Sequence, residues 1–98
     1  MQKRARINVF GDVQGVFFRA DAKARAQELG LTGWVKNEPD RTVRILAEGA
    51  EDQIKEFIDW CKNSPGFAKT DKVEVKWEEV KGEFNSFDIR EEIIKIIS

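Results

Sequence analysis

The sequence predicts an α+β sandwich in which an antiparallel sheet carries two helices on one face, the ferredoxin-like βαββαβ arrangement. Apolar and polar residues alternate in segments near 4–10, 33–37, 42–48 and 73–77, the period of strands with one buried face. Two intervening stretches, around 18–29 and 54–61, instead place apolar residues at helical spacing. At 98 residues the chain can bury one core, so one domain over 1–98 is expected, ending in an apolar tail at 92–98.

The first strand is read from Ala5, Ile7 and Val9 alternating with Arg4, Arg6 and Asn8. Gly11 to Val16 then forms a glycine-containing loop, after which Phe18, Ala22, Ala26 and Leu29 mark a helix that Gly30 terminates. Gly33–Asn37 and Thr42–Glu48 read as two strands of a hairpin joined by Glu38-Pro39-Asp40-Arg41. Ile54, Phe57, Ile58 and Cys61 fall at i, i+3, i+4 and i+7, an amphipathic helix that ends near Asn63-Ser64-Pro65-Gly66. Val73, Val75 and Trp77 form a half-exposed strand, and Phe87 and Ile89 a short addition beyond Lys81-Gly82. Ile93, Ile94, Ile96 and Ile97 would make an exposed apolar patch if left free, so they are expected to pack, within the chain or across a subunit contact.

The totals narrow the chemistry. The 17 Lys and Arg nearly cancel the 18 Asp and Glu, so net charge gives no support to a nucleic-acid or membrane-surface binder. No apolar run approaches the roughly 18 residues that span a bilayer, and no signal-type apolar segment follows Met1-Gln2-Lys3-Arg4, so a cytoplasmic protein is expected. Cys61 is the only cysteine, which excludes an intrachain disulfide; the absence of histidine removes Ser-His and Cys-His pairs and the usual zinc ligands. Asp12, Asp21 and Asp40 are dispersed, so no metal pair and no cofactor is expected. Heavy use of Lys and Glu matches the ion-pair-rich surfaces of heat-stable proteins.

Two segments carry candidate chemistry. In Gly11-Asp12-Val13-Gln14-Gly15-Val16-Phe17-Phe18-Arg19 the glycines let the backbone turn successive N–H groups toward one point beside the positive end of a helix, where a phosphate can sit. Arg19 adds a planar fork of donors suited to phosphate oxygens, although a first-turn arginine also serves as an ordinary solvated charge. Asn37 ends the strand Gly33-Trp34-Val35-Lys36-Asn37, where asparagine commonly caps the following turn; in this topology it can equally face the mouth of the loop.

These residues strongly resemble the acylphosphatase family. The likeness runs through the Gly11–Arg19 segment, Ala26, Gly30-Leu31-Thr32-Gly33-Trp34-Val35-Lys36-Asn37, Asp40, Val43, Glu48-Gly49, Val73-Glu74-Val75 and Phe87-Asp88-Ile89, nearly the whole chain except its tail. The resemblance implies hydrolysis of acyl phosphates without a metal. Backbone amides of Gln14, Gly15, Val16, Phe17 and Phe18 would bind the phosphate, with Arg19 as its side-chain ligand and Asn37 orienting the water. It also implies that inorganic phosphate or sulfate competes with substrate. A monomer is expected, with a dimer through the tail as the alternative. Two turns depart from the family pattern, Asp40-Arg41 where Asp-Gly is usual and Asn63 where glycine is frequent.

Two other readings compete. The same fold serves as an RNA-binding or regulatory module, but Thr42-Val43-Arg44-Ile45-Leu46 lacks the aromatic, glycine-rich motif that RNA-binding sheets carry. A phosphate-recognising domain of the kind attached to larger carbamoyl-transferring maturation factors is the other. Cys61 belongs to an apolar stripe and reads as core, and Trp34, Trp60 and Trp77 read as packing residues or partly exposed anchors, not as a base-stacking platform.

Overall fold

The computed structural model describes residues 1–91; the expectation about the tail isoleucines falls outside them. The chain runs β1 (Gln2–Asp12), α1 (Phe18–Glu28), β2 (Thr32–Asn37), β3 (Val43–Ala50), α2 (Glu51–Lys62), β4 (Lys69–Glu78) and β5 (Phe87–Arg90). The strands form one sheet in the order β4-β1-β3-β2-β5. This is the expected ferredoxin-like α+β fold, with one difference from an all-antiparallel sheet. β1 pairs antiparallel with β3 and β4, and β2 antiparallel with β3, but β5 pairs parallel with β2. The reason is topological: β4 finishes at the end of the sheet where β2 begins. A connection that stays at that end delivers β5 running the same way as β2.

Alternation on the strands decides which side the helices cover. Ala5, Ile7 and Val9 of β1 lie level with Ala47, Ile45 and Val43 of β3, all fully buried against the helices. From α1 come Phe18, Ala22 and Ala26, and from α2 Ile54, Phe57, Ile58 and Cys61. Phe57 stands edge-on to Phe87 at 6.1 Å and close to Trp60 at 5.7 Å, so β5 and α2 share one aromatic contact. Cys61 is buried in this layer, and burial pushes its thiol far above the ordinary range, which makes it an apolar filler.

α1 ends on a Schellman motif, with Leu31 N–H donating to Ala26 C=O and Gly30 N–H to Gln27 C=O. Gly30 takes the left-handed φ of 71° this requires. Among the described residues the opposite face of the sheet bears no helix. Because β4 and β5 occupy opposite edges, residues 79–86 cross that face as a strap. Buried Glu48 accepts the N–H groups of Lys81 and Gly82, and buried Arg4 donates to Glu83 at 2.9 Å while its guanidinium covers Phe84.

Candidate active site

β1, β2 and β5 run in one direction, so their C-terminal ends meet at the edge of the sheet where α1 begins. The loop from Val13 to Phe17 lies across that edge. Gly15 and Phe17 both hold left-handed φ, 73° and 63°, which turns the chain sharply enough to enter α1 at Phe18. Gly15 does so without strain; Phe17 carries a Cβ there and is 74% exposed. Phe17 C=O accepts the Asp21 N–H and so closes the first helical turn. No side chain caps α1. Its first-turn amides thus keep their donors directed toward the loop, at the positive end of the helix.

The side chain of Gln14 turns away from this cradle. Its Nε2 donates to the carbonyls of Glu38 and Thr42, both at 2.9 Å, and so ties the loop to the β2–β3 turn. That tie brings the loop beside Asn37. The sequence points only to a backbone role for Gln14; this side-chain tie has no local signal, because both carbonyls already accept amides within the turn. The hairpin turn itself is closed by Asp40, whose Oδ1 accepts from both the amide and the hydroxyl of Thr42. These bonds, the Thr42 hydroxyl's above all, hold the Asp40 carboxyl below the usual range. Asn37 is therefore not the turn's cap. Arg41, where the family usually has glycine, adopts a φ of 74° and preserves the turn.

Asn37 instead faces the helix side, level with Val43, and its buried Oδ1 has no donor among the described residues. It lines a cleft of about 290 Å³ together with Gly15, Phe17 and Arg19. Arg19, half-buried, reaches from the first turn of α1, and Ile89 and Glu91 close the far side from β5. Glu91 was not anticipated. It follows Phe87 and Ile89 at the same two-residue spacing, one residue beyond the last β2–β5 pair, Lys36↔Arg90. Its Oε1 lies 4.0 Å from Arg19 Nη1.

The two motif residues that sequence reasoning selected thus share one cleft with the glycine loop. A family model described as Acylphosphatase matches residues 5–89. The chain belongs to the acylphosphatase family. It is 49% identical to an acylphosphatase from Pyrobaculum calidifontis, with 88% of this chain and 79% of the relative aligned. The crystal structure of an acylphosphatase from Bacillus subtilis superimposes with a TM-score of 0.86 at 38% identity, covering 92% of this chain and 99% of that one. HypF of T. kodakarensis, a larger protein, contains a similar part: TM-score 0.77, 36% identity, 94% of this chain but 12% of HypF. Among the described residues no helix is long and apolar enough to cross a membrane.

Proposed function

We propose that this acylphosphatase cleaves the carboxyl-phosphate bond of acyl phosphates without a metal. A water held by Asn37 attacks in line on a phosphate held by Arg19 and the amides of residues 14–19. The observation that carries this reading is the unpartnered, buried Oδ1 of Asn37 in the same cleft as Arg19. An acceptor buried without a donor costs about 1–3 kcal/mol, and a water can donate to it while turning a lone pair toward phosphorus.

The reaction asks little of a base. The carboxylate is a good leaving group and the phosphoryl-transfer transition state is loose, so positioning and charge stabilisation supply most of the acceleration. The water oxygen bonds to phosphorus, the bond to the acyl oxygen breaks with its electron pair leaving on the carboxylate, and the water's proton passes to a phosphate oxygen. Arg19 and the uncapped amides of the loop and first helical turn stabilise the equatorial oxygens. Inorganic phosphate and sulfate occupy the same cradle and compete.

The test is turnover of benzoyl phosphate by purified protein after chelator treatment, with phosphate as competitor. Loss of activity on metal removal, or phosphate inhibition that is not competitive, refutes the proposal. The likeness to part of HypF supports a second reading, a phosphate-recognising module without turnover. Phosphate binding with no hydrolysis would favour it. The acylphosphatase relatives align over most of their own length, HypF over a small fraction, and this supports the enzyme reading.

A further inference from the structure

The cleft has an acyl side as well as a phosphate side, and its charges bear on what that side accepts. Among the described residues Arg19 and Glu91 are its ionisable lining residues, so the cation that would attract a phosphate has an exposed carboxylate 4.0 Å away. The rest of the wall is largely apolar: Val13, Phe17, Phe18, Ala20 and Ile89. Phe17 in particular projects an exposed ring at the rim, held there by its left-handed backbone. A dianionic phosphate is accommodated through backbone amides and the helix terminus, whose partial charge is spent on that one group. Among the described residues, a second negative charge on the ligand meets no further cation in the lining, only Glu91.

Resting on the reading of the cleft as an acyl phosphate site, we infer that Glu91 is a specificity residue that sorts substrates by the charge of their acyl group. The preferred class is acyl phosphates whose acyl part is uncharged and apolar or aromatic. Acyl groups bearing a second carboxylate or phosphate are disfavoured. Glu91 is suited to this because it directly follows β5. Ile89 is paired beside Val35, and Glu91, two residues on, lines the same cleft as Asn37. The carboxylate itself stays 80% exposed, so it acts through its field and not through a bond that substrate must break. For unit charges about 8–10 Å apart across a half-wet cleft, Coulomb's law with an effective dielectric of about 40 gives roughly a fivefold effect on relative kcat/KM.

The experiment compares benzoyl phosphate with succinyl phosphate in the wild-type protein, Glu91→Gln and Glu91→Lys, at low and high salt. Because Glu91 is exposed and outside the core, both variants are expected to fold, and melting curves verify it. The kcat/KM ratio of succinyl to benzoyl phosphate should rise about three- to tenfold in Glu91→Gln, rise further in Glu91→Lys, and converge on a common value as salt is added. An unchanged ratio in a wild-type protein that hydrolyses benzoyl phosphate overturns the assignment of Glu91 alone. So does an equal fall in kcat for both substrates, which would make Glu91 a general base or a support for Arg19. Absence of benzoyl phosphate hydrolysis in the wild-type protein removes the reading of the site itself.

Discussion

Replacing Asn37 by alanine should separate catalysis from stability, because of what surrounds its amide. Among the described residues Oδ1 meets no donor, so Asn37→Ala strands no donor there and removes a buried polar atom. The fold should therefore lose nothing, or gain up to about 1 kcal/mol, since burial of an unpaired polar group is itself unfavourable. The water, by contrast, loses its anchor. Removal of one positioned polar group from a transition state costs about 10²–10³ in kcat, or ~2.7–4 kcal/mol, with little change in the binding of a ligand that does not touch it. Arg19→Ala differs, because the guanidinium touches phosphate before and during the reaction. A lost charge-assisted hydrogen bond of about 1.5–3 kcal/mol weakens phosphate inhibition roughly 10- to 100-fold and lowers turnover as well. Arg19→Lys keeps the charge without the planar fork and should recover only part of the activity. The assays are initial rates on benzoyl phosphate, the inhibition constant of phosphate, and thermal melting. Near-normal kcat in Asn37→Ala, or phosphate affinity reduced as much as in Arg19→Ala, refutes the assignment of the water.

Glu48→Ala should destabilise by about 2–4 kcal/mol in chemical denaturation, because it removes the acceptor of two strap amides and a carboxylate 3.7 Å from buried Arg4; kcat should stay within twofold. The double variant Asn37→Ala/Glu48→Ala should be additive to within about 0.5 kcal/mol: Glu48 lies level with Thr32, five residues along β2 from Asn37, or about 17 Å. Arg41→Gly should raise stability by about 0.5–1 kcal/mol in urea titrations, since glycine adopts its positive φ without a Cβ clash. Asp40 has a depressed folded-state pKa, so its contribution is present above the unfolded carboxylate range and is lost as pH falls through the folded value. Stability of the wild-type protein relative to Asp40→Asn should therefore be greatest near neutrality and shrink in acid.

Much of this molecule was legible in the sequence because its strands are half-buried and its helices amphipathic. Ala5-Ile7-Val9 and Val43-Ile45-Ala47 announce which face of the sheet is covered, and all six side chains are fully buried. The strand ends were less legible. β4 extends back to Lys69 through Lys69-Thr70-Asp71-Lys72, an edge segment of polar residues whose pairing comes from main-chain bonds to β1 and not from hydrophobic pattern. Arg19 and Asn37 could be singled out because glycines and a strand terminus flag such positions; their meeting in one cleft depends on the sheet order, which local pattern does not encode. Gln14's double bond to the hairpin, and Glu91's place beside Asn37, depend on tertiary register alone. Nothing in the types or spacing of those two residues points to it.

The sheet keeps its chemistry and its stabilisation at opposite ends. Where β1 and β2 begin, charge is matched: Arg4 has three carboxylates around it, although its buried Nε meets no hydrogen-bond acceptor among the described residues, Glu48 accepts two amides, and the strap they hold closes the bare face. Where the same strands end, Gln14 and Asp40 tie the hairpin, but the cleft beside it is left unmatched. Phe17 sits in a left-handed conformation with its ring in solvent, α1 starts without a side-chain cap, and Asn37 presents a buried acceptor to no donor. Each of these is unfavourable by an amount of order 1 kcal/mol, and each leaves something a phosphate or a water can use: an amide, a rim, a lone pair. Filling any of them from within the protein would stabilise the fold and occupy the site. The unsatisfied groups can persist because the core between the two ends is fully buried. At the site end stability and activity therefore oppose each other, whereas substitutions at the Arg4 and Glu48 end should move stability alone.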